Sequence, residues 1–198
     1  MMTVTGHLYG LGSNQFGQLG VPNQELKQSY DHPMNLHKLY YSQSAIRITF
    51  FKFVTDKHTH NIYNNKEQTI GPDKNTAHEP SPVYQIACGD DFSVALTESG
   101  NLYSWGLNDD GRLGVKNIPG RKLFRTSKNE YTYIPQRILF TKDHIDSIHS
   151  AGSLSYCRVT GTSDLMSLEL SSAQFSHRTY MWGHVPKGLN MKKVTSNL

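Results

Sequence analysis

Apolar residues fall in short runs along this chain, and turn residues separate the runs. In the centre of the sequence, residues 83–89, 92–97 and 102–105 carry apolar side chains at strand spacing, with turns at 90–91 and 98–100. Such runs predict short β-strands joined as an antiparallel meander. A further run at 131–138 completes a predicted four-stranded sheet.

The same pattern continues on both sides of this central unit. Residues 46–50 alternate strictly between apolar and polar, which predicts a half-buried strand. Towards the C-terminus, runs at 145–152, 155–160 and 179–183 repeat the order of the central strands, with a longer connection before the last of them. The chain is therefore predicted to be all-β, with several small antiparallel sheets.

A fifteen-residue string occurs twice, at 6–20 and at 100–114. Without a gap, the two copies agree at Gly6/Gly100, Leu8/Leu102, Tyr9/Tyr103, Gly12/Gly106, Asn14/Asn108, Gly17/Gly111, Leu19/Leu113 and Gly20/Gly114. Agreement at eight of fifteen positions indicates an internal structural repeat.

A third, weaker copy lies near the C-terminus. There Gly152 corresponds to Gly89, while Tyr180, Trp182 and Gly183 correspond to Tyr103, Trp105 and Gly106. We expect Trp105 and Trp182 to occupy the same position in the third strand of successive sheets, packed between neighbouring sheets.

Glycines punctuate the loop that leaves each predicted third strand. Only glycine adopts positive φ at low cost, so Gly106, Gly111 and Gly114 mark places where the backbone turns or approaches another strand closely. Asn108 and Asp109 suit the same loop, because short polar side chains bond nearby backbone and tolerate left-handed conformations. The string therefore predicts a structural loop and not a catalytic one.

Residues 55–82 contain few apolar side chains. Such a segment cannot bury enough surface to offset the entropy of ordering it, so we interpret it as a long mobile loop inserted into the repeat array. His58 and His60 lie in it at a spacing that suits a metal, but no third ligand follows nearby, and a solvated loop is the favoured interpretation.

Composition narrows the functional classes. The hydrophobic fraction is 36% and the formal net charge is +4, with the basic residues scattered along the chain. One local cluster, Arg121, Lys122, Arg125 and Lys128, lies in the loop 116–128 and would suit nucleic acid or an acidic partner. Solvated loop charge is the favoured alternative for this cluster.

The two cysteines, Cys88 and Cys157, lie far apart inside apolar runs, so neither a disulfide framework nor a paired metal site is expected. We interpret both as buried thiols in a reducing compartment. The sequence shows no secretory leader and no apolar run of membrane-spanning length. An intracellular location, cytoplasmic or nuclear, is the resulting expectation.

The sequence contains no motif that indicates catalytic chemistry. The early glycines lack the spacing of a dinucleotide fingerprint, and no phosphate-binding loop sequence occurs. The acidic pairs at 90–91 and 109–110 stand in predicted turns, where they are expected to cap loop backbone. No catalytic residue, metal, cofactor or small-molecule substrate is predicted.

The pattern Gly-x-Leu-Tyr-x-Trp-Gly-x-Asn-x-x-Gly-x-Leu-Gly, after a strand that ends in Leu-Thr, resembles the repeat of the regulator of chromosome condensation family. The resemblance is close over 83–114, good over 6–20 and partial over 145–188. It implies four-stranded blades, of which family members close seven into a β-propeller ring.

At about fifty residues per blade, this chain supplies about three blades and at most a degenerate fourth around 46–54. No C-terminal segment is an obvious partner for the strand at 8–11. The expected fold is a partial β-propeller, an open arc in a single domain that comes from a fragment or needs another chain to finish it. Its expected parts are an N-terminal half blade at 1–20, the inserted loop at 55–82, the best-formed blade at 83–140 and a degenerate blade at 145–190. Whether 21–54 is a degenerate blade or an insertion stays open.

Three functions are compatible with the sequence, and the resemblance implies the first two. The favoured one is a non-catalytic interaction module that presents its blade loops to a protein partner. The second is guanine-nucleotide exchange on a Ran-like small GTPase, since the family includes such a factor. The third is association with chromatin or nucleic acid through the loop 116–128. A shared fold does not by itself establish any of these functions.

Overall fold

The computed structural model describes residues 1–4, 7–26, 29–31, 38–51, 81–115, 123–126, 128–139, 144–161, 176–184 and 194–196. Gly6, His58, His60, Arg121 and Lys122 lie outside these ranges, as does nearly all of the predicted loop 55–82.

The described residues form antiparallel strands grouped into three sheets. The first sheet contains β1 (Leu8–Ser13), β2 (Ser29–Asp31) and β3 (Lys38–Ile48), in the order β1-β3-β2. The second contains β4 (Val83–Cys88), β5 (Phe92–Thr97), β6 (Leu102–Leu107), β7 (Phe124–Arg125) and β8 (Glu130–Ile138), in the order β4-β5-β6-β8-β7. The third contains β9 (His144–Ala151), β10 (Leu154–Gly161), β11 (Ser176–Gly183) and β12 (Val194–Ser196), in the order β12-β11-β10-β9.

The first sheet corrects two expectations about residues 8–54. β1 finds its partner nearby in sequence, because Leu8 pairs with Ile48 just as Leu102 pairs with Ile138 in the second sheet. Both strand pairs also contain a register shift at the same point of the repeat, next to Gly12 and Gly106. β3 is therefore the counterpart of β8, the fourth strand of its sheet, and the idea of a separate degenerate blade around 46–54 is wrong.

Strand register also fixes how the third sheet corresponds to the second. Cys88 pairs with Ser93, and Ser150 pairs with Ser155; each pair encloses a hairpin of the same length. Gly152 is therefore level with Asp90, one position from the predicted correspondence with Gly89. A comparison of glycines alone missed this because it ignored strand pairing.

The two tryptophans occupy matching places in their sheets. Trp105 pairs with Ser93, and Trp182 pairs with Ser155. Trp105 lies in an apolar cluster with Leu8 and Ile48 of the first sheet and with Phe51, which follows β3. Trp182 lies in a cluster with residues of the second sheet, including Phe92 and Val94, and with Leu113 and Val115 of the loop after β6. Each ring thus packs between its own sheet and the sheet that precedes it.

The tyrosines two residues before the tryptophan position of each repeat differ in burial. Tyr103 is buried in the same cluster as Trp105. Its repeat counterparts Tyr9 and Tyr180 are only half-buried. The repeat therefore preserves the residue type at this position but not its degree of burial.

The two cysteines differ in environment. Cys157 is fully buried in the cluster between the second and third sheets, and burial raises the pKa of its thiol to about 12. Cys88 is exposed, so the expectation of a second buried thiol is wrong. It stands at the C-terminal end of β4, an edge strand of its sheet. In the described part of the chain, no helix is long and apolar enough to cross a membrane.

Trp105→Ala is expected to lower the free energy of unfolding by about 3 to 5 kcal/mol, because it removes a buried ring that joins two sheets. Urea unfolding followed by circular dichroism measures the loss. Tyr156→Ala is the matched control, since Tyr156 is 39% exposed and should cost less than about 1 kcal/mol. A similar small loss at Trp105 contradicts its place in the core.

The folded protein is expected to react rapidly with a thiol reagent at only one site at pH 8. Cys88 is exposed, whereas Cys157 is buried and its raised pKa keeps it protonated. Ellman's reagent, read with and without denaturant, counts one and then two reactive thiols. Two rapid reactions in the folded protein contradict the burial of Cys157.

Candidate interaction surface

The loop after the third strand has the same internal hydrogen bonds in both repeat copies. The side-chain oxygen of Asn14 accepts a hydrogen bond from the Leu19 backbone at 2.8 Å. The side-chain oxygen of Asn108 accepts one from the Leu113 backbone at 3.3 Å. These bonds satisfy backbone groups that the loop would otherwise leave unpaired.

Glycine conformations confirm the prediction for this loop. Gly106, Gly111 and Gly114 have φ values of +113°, +71° and +65°. Asp110 also has positive φ, at +60°, and is the one non-glycine residue with this conformation in the described part of the chain. The left-handed position therefore falls one residue after the predicted Asn108 and Asp109.

Gly100, which opens the second copy of the repeat string, has a narrower role than Gly106 and Gly114. It lies in the turn between β5 and β6 with a φ of +76°, and its backbone N–H donates to the Thr97 carbonyl at 2.9 Å. A Cβ atom added there would make only an ordinary contact, 3.7 Å from His144 Cδ2. The conformation of the turn predicted at 98–100 therefore accounts for Gly100. Its counterpart Gly6 lies outside the described residues.

The last glycine of each loop lies against the tryptophan of the next sheet. A Cβ atom added to Gly20 would lie 3.1 Å from Trp105 Nε1. A Cβ atom added to Gly114 would lie 2.9 Å from Trp182 Cδ1. The repeated glycine therefore provides room for the neighbouring ring, and we call this the glycine–tryptophan contact.

Gln18 holds the first of these contacts in place. Its backbone carbonyl accepts hydrogen bonds from Trp105 Nε1 and from the Ser93 hydroxyl, both at 2.9 Å. Its side-chain Nε2 donates to Asp91 Oδ1 at 3.2 Å. Burial raises the pKa of the Asp91 carboxyl; Arg112 acts in the opposite direction. One residue of the loop after β1 thus bonds to three residues of the segment 91–105.

A second bridge joins the edge strands β4 and β9. Gln85 Nε2 donates to the Ile148 carbonyl at 2.9 Å, and the Ile148 backbone N–H donates to Gln85 Oε1 at 3.0 Å. The side-chain amide thus imitates a strand partner for a short stretch of β9.

Aromatic side chains form a row at the boundary between the first and second sheets. The row consists of Phe16, Tyr131, Phe124 and Tyr133, whose successive ring centroids are separated by 6.5, 5.7 and 5.0 Å. Phe124 and Tyr133 are stacked nearly parallel, with 16° between their planes. Phe124 remains 37% exposed. The hairpin β7–β8 thus presents aromatic surface to solvent.

The predicted basic cluster is only partly described. Arg125 Nη2 lies 3.0 Å from Glu130 Oε1, so its charge is paired. Asn108 Nδ2 donates to the other oxygen of Glu130 at 2.7 Å. Lys128 is exposed on the same hairpin. A paired arginine weakens the electrostatic basis of the predicted nucleic-acid contact, which stays a prediction.

A polar cleft of about 570 Å³ lies between the second and third sheets. Asp146 lines this cleft and accepts a hydrogen bond from the Thr160 hydroxyl. His144 Nδ1 lies 3.3 Å from Asp146, and Arg158 Nε lies 3.9 Å from it. Tyr84 and Glu98 line the opposite wall. In the described part of the chain, no group of three His, Cys, Asp or Glu residues is arranged to hold a metal.

Sequence reasoning located the glycines and tryptophans but missed the groups that join the sheets. Gln18 and Gln85 are ordinary polar residues in sequence, and no pattern distinguishes them. The aromatic row was detectable in part, because Tyr131 and Tyr133 alternate along one strand face. Phe16 and Phe124 join it only through tertiary packing.

Known proteins share both the repeat and the fold. A model described as the regulator of chromosome condensation (RCC1) repeat matches residues 5–48 and 99–157, and a second model of this repeat matches 83–112. The probable E3 ubiquitin-protein ligase HERC4 of Rattus norvegicus is 30% identical over 149 residues, covering 67% of this chain and 14% of that protein. The RCC2 homolog of Xenopus laevis is 27% identical over 141 residues, covering 66% of this chain and 27% of that protein. The chain thus spans less than a third of the length of these relatives.

Yeast RCC1 (Prp20), in its crystal structure bound to Kap60, superposes with a TM-score of 0.51 at 19% identity, over 92% of this chain and 29% of that one. Together with the three sheets, this likeness defines a partial β-propeller whose sheets are its blades. Since the repeat models match more than half of its residues, the chain belongs to the regulator of chromosome condensation repeat family.

Gly17→Ala is expected to destabilise the protein more than Gly111→Ala, although the two glycines are equivalent in the repeat and have φ values of +77° and +71°. Each substitution costs about 1 to 2 kcal/mol of backbone strain. At Gly17 the new Cβ would also lie 2.7 Å from Tyr133 Cβ, whereas at Gly111 no heavy atom of the described structure lies within 4 Å. The collision adds about 1 to 3 kcal/mol.

Urea unfolding of both variants measures the difference between them. Gly111→Ala is the control for the strain that the two positions share. Equal losses would contradict the close packing of the Gly17 loop on β8.

Proposed function

We propose that this chain is a non-catalytic protein-interaction module, and that the hairpin β7–β8 of the second blade belongs to its binding surface. The observation that carries the proposal is that the repeat residues and the hairpin residues have different environments. The signature residues of the repeat are occupied in packing one blade on the next, whereas the hairpin exposes Phe124, Arg125 and Lys128. Repeated loop geometry with exposed side chains suits recognition by contact.

Two alternatives differ from this proposal in testable ways. Guanine-nucleotide exchange on a Ran-like GTPase draws support from membership of the regulator of chromosome condensation repeat family. Association with nucleic acid draws support from Lys128 and from the basic residues that precede Phe124 in sequence. An intracellular location remains our prediction.

The module is expected to leave nucleotide release unchanged when micromolar protein is mixed with a Ran-type GTPase loaded with fluorescent GDP. Release is followed by the decrease in fluorescence, and EDTA supplies the positive control. Acceleration of release by tenfold or more would overturn the non-catalytic proposal in favour of exchange.

Affinity capture with matched variants tests the surface itself. Arg125→Glu with Lys128→Glu reverses two exposed charges of the hairpin, and Tyr156→Ala changes an exposed aromatic residue of the third blade. Proteins bound specifically by the unaltered chain should be lost from the charge-reversed variant and kept by the control. An identical set of bound proteins for all three excludes the hairpin from the binding surface.

A further inference from the structure

The aromatic row combines three rings of the hairpin β7–β8 with Phe16 of the loop after β1. Its four rings form a continuous series across the boundary between two blades, with neighbouring centroids 5.0 to 6.5 Å apart. Phe124 is the most accessible member, with 37% of its surface exposed. A ring held at this exposure can contact a ligand without unfolding its own strand.

Electrostatics restrict the class of ligand. Near the row, Arg125 and Lys128 carry positive charge, while Glu130 and Asp109 carry negative charge, and Arg125 is paired with Glu130 at 3.0 Å. The Glu130 backbone N–H also donates to Asp109 Oδ1 at 3.5 Å, which keeps that carboxylate beside the hairpin. Nucleic acid derives most of its affinity from unpaired cations that contact phosphates. The four charges of the described residues beside the row sum to zero, which favours a ligand of low charge.

Geometry favours proline among weakly charged ligands. A polyproline II helix needs no internal hydrogen bonds, is ordered before it binds, and advances about 9 Å per turn of three residues. Neighbouring ring centroids in the row are 5.0 to 6.5 Å apart. Successive turns of a polyproline II helix can therefore contact every second ring. Proline-rich segments dock on grooves lined with aromatic rings by this means.

We propose that the aromatic row Phe16, Tyr131, Phe124 and Tyr133 is a docking site for a proline-rich segment of a partner protein. The proposal rests on the proposed function and specifies the chemistry of its partner. Phe124 supplies the exposed contact ring, and Phe16 extends the site onto the first blade. The exposed Arg125 side chain adds a donor for the carbonyl groups that a polyproline II helix leaves unpaired.

Fluorescence anisotropy with a labelled decaproline peptide tests this site on the full chain. Decaproline should bind, and a glycine–serine peptide of the same length should not. Phe124→Ala should weaken binding by about tenfold or more, whereas Phe124→Tyr, which keeps the ring, and Tyr156→Ala, outside the row, should change it by less than about twofold. If Phe124→Ala does not fold, Phe124→Leu keeps apolar bulk without the ring and should show the same loss.

Salt and a competitor distinguish peptide from nucleic acid. Decaproline affinity should change by less than about twofold between 50 and 200 mM salt, whereas binding through phosphate contacts falls steeply over this range. Unchanged binding by the folded Phe124 variants, equal binding of the two peptides, or displacement of decaproline by oligo-dT with steep salt dependence would each overturn the proposal. If decaproline fails while the charge-reversed hairpin still loses its captured proteins, this inference fails and the proposed function stands.

Discussion

The stack of blades depends on one contact, in which the loop of one sheet covers the tryptophan of the next. At the first boundary, the Gln18 carbonyl accepts the indole hydrogen bond of Trp105, and Gly20 leaves room for the ring. This arrangement buries a large apolar surface while satisfying its polar atom, a combination that an aromatic side chain of this type requires inside a protein. At the second boundary, Gly114 leaves room for the Trp182 ring in the same way.

The residues that pack the blades differ from those that are exposed for recognition. The tryptophans and the glycines that face them pack one blade on another, and the loop asparagines hold the loops that carry those glycines, so these residues have structural roles. On the hairpin β7–β8, by contrast, Phe124, Arg125 and Lys128 remain exposed. The polar cleft lined by Asp146 is likewise formed by residues other than the repeat glycines and tryptophans. Repeat proteins commonly bind through such variable segments, because each repeat contacts only its neighbours and leaves the connecting segments available.

The sequence contained enough information to identify the fold and too little to place every strand. The repeated string located β1 and β6, because a glycine required at positive φ and an indole required in a core both restrict residue choice strongly. β3 was misassigned because alternation predicts a strand but not its partner. Cys88 was misjudged for a related reason: a strand at the edge of a sheet and one in its middle have similar apolar content.

The candidate surface was less predictable than the fold. Gln18 joins the first two blades through its backbone carbonyl, a group that every residue possesses. The positive charge of Arg125 is evident from the sequence. Its partner Glu130 is evident only from the pairing of β7 with β8, which places the two residues opposite each other. Interactions that depend on tertiary proximity leave little trace in a single sequence, whereas conformations that depend on residue type leave a clear one.

The glycine–tryptophan contact also gives the array a direction. Each loop covers the ring of the following blade, so a blade that loses its structure uncovers its successor's indole. Its predecessor keeps the hydrogen bonds inside its own loop and loses only those that reach across the boundary. In an array of this kind the order of the blades along the chain, and not only their number, determines how local stability is distributed.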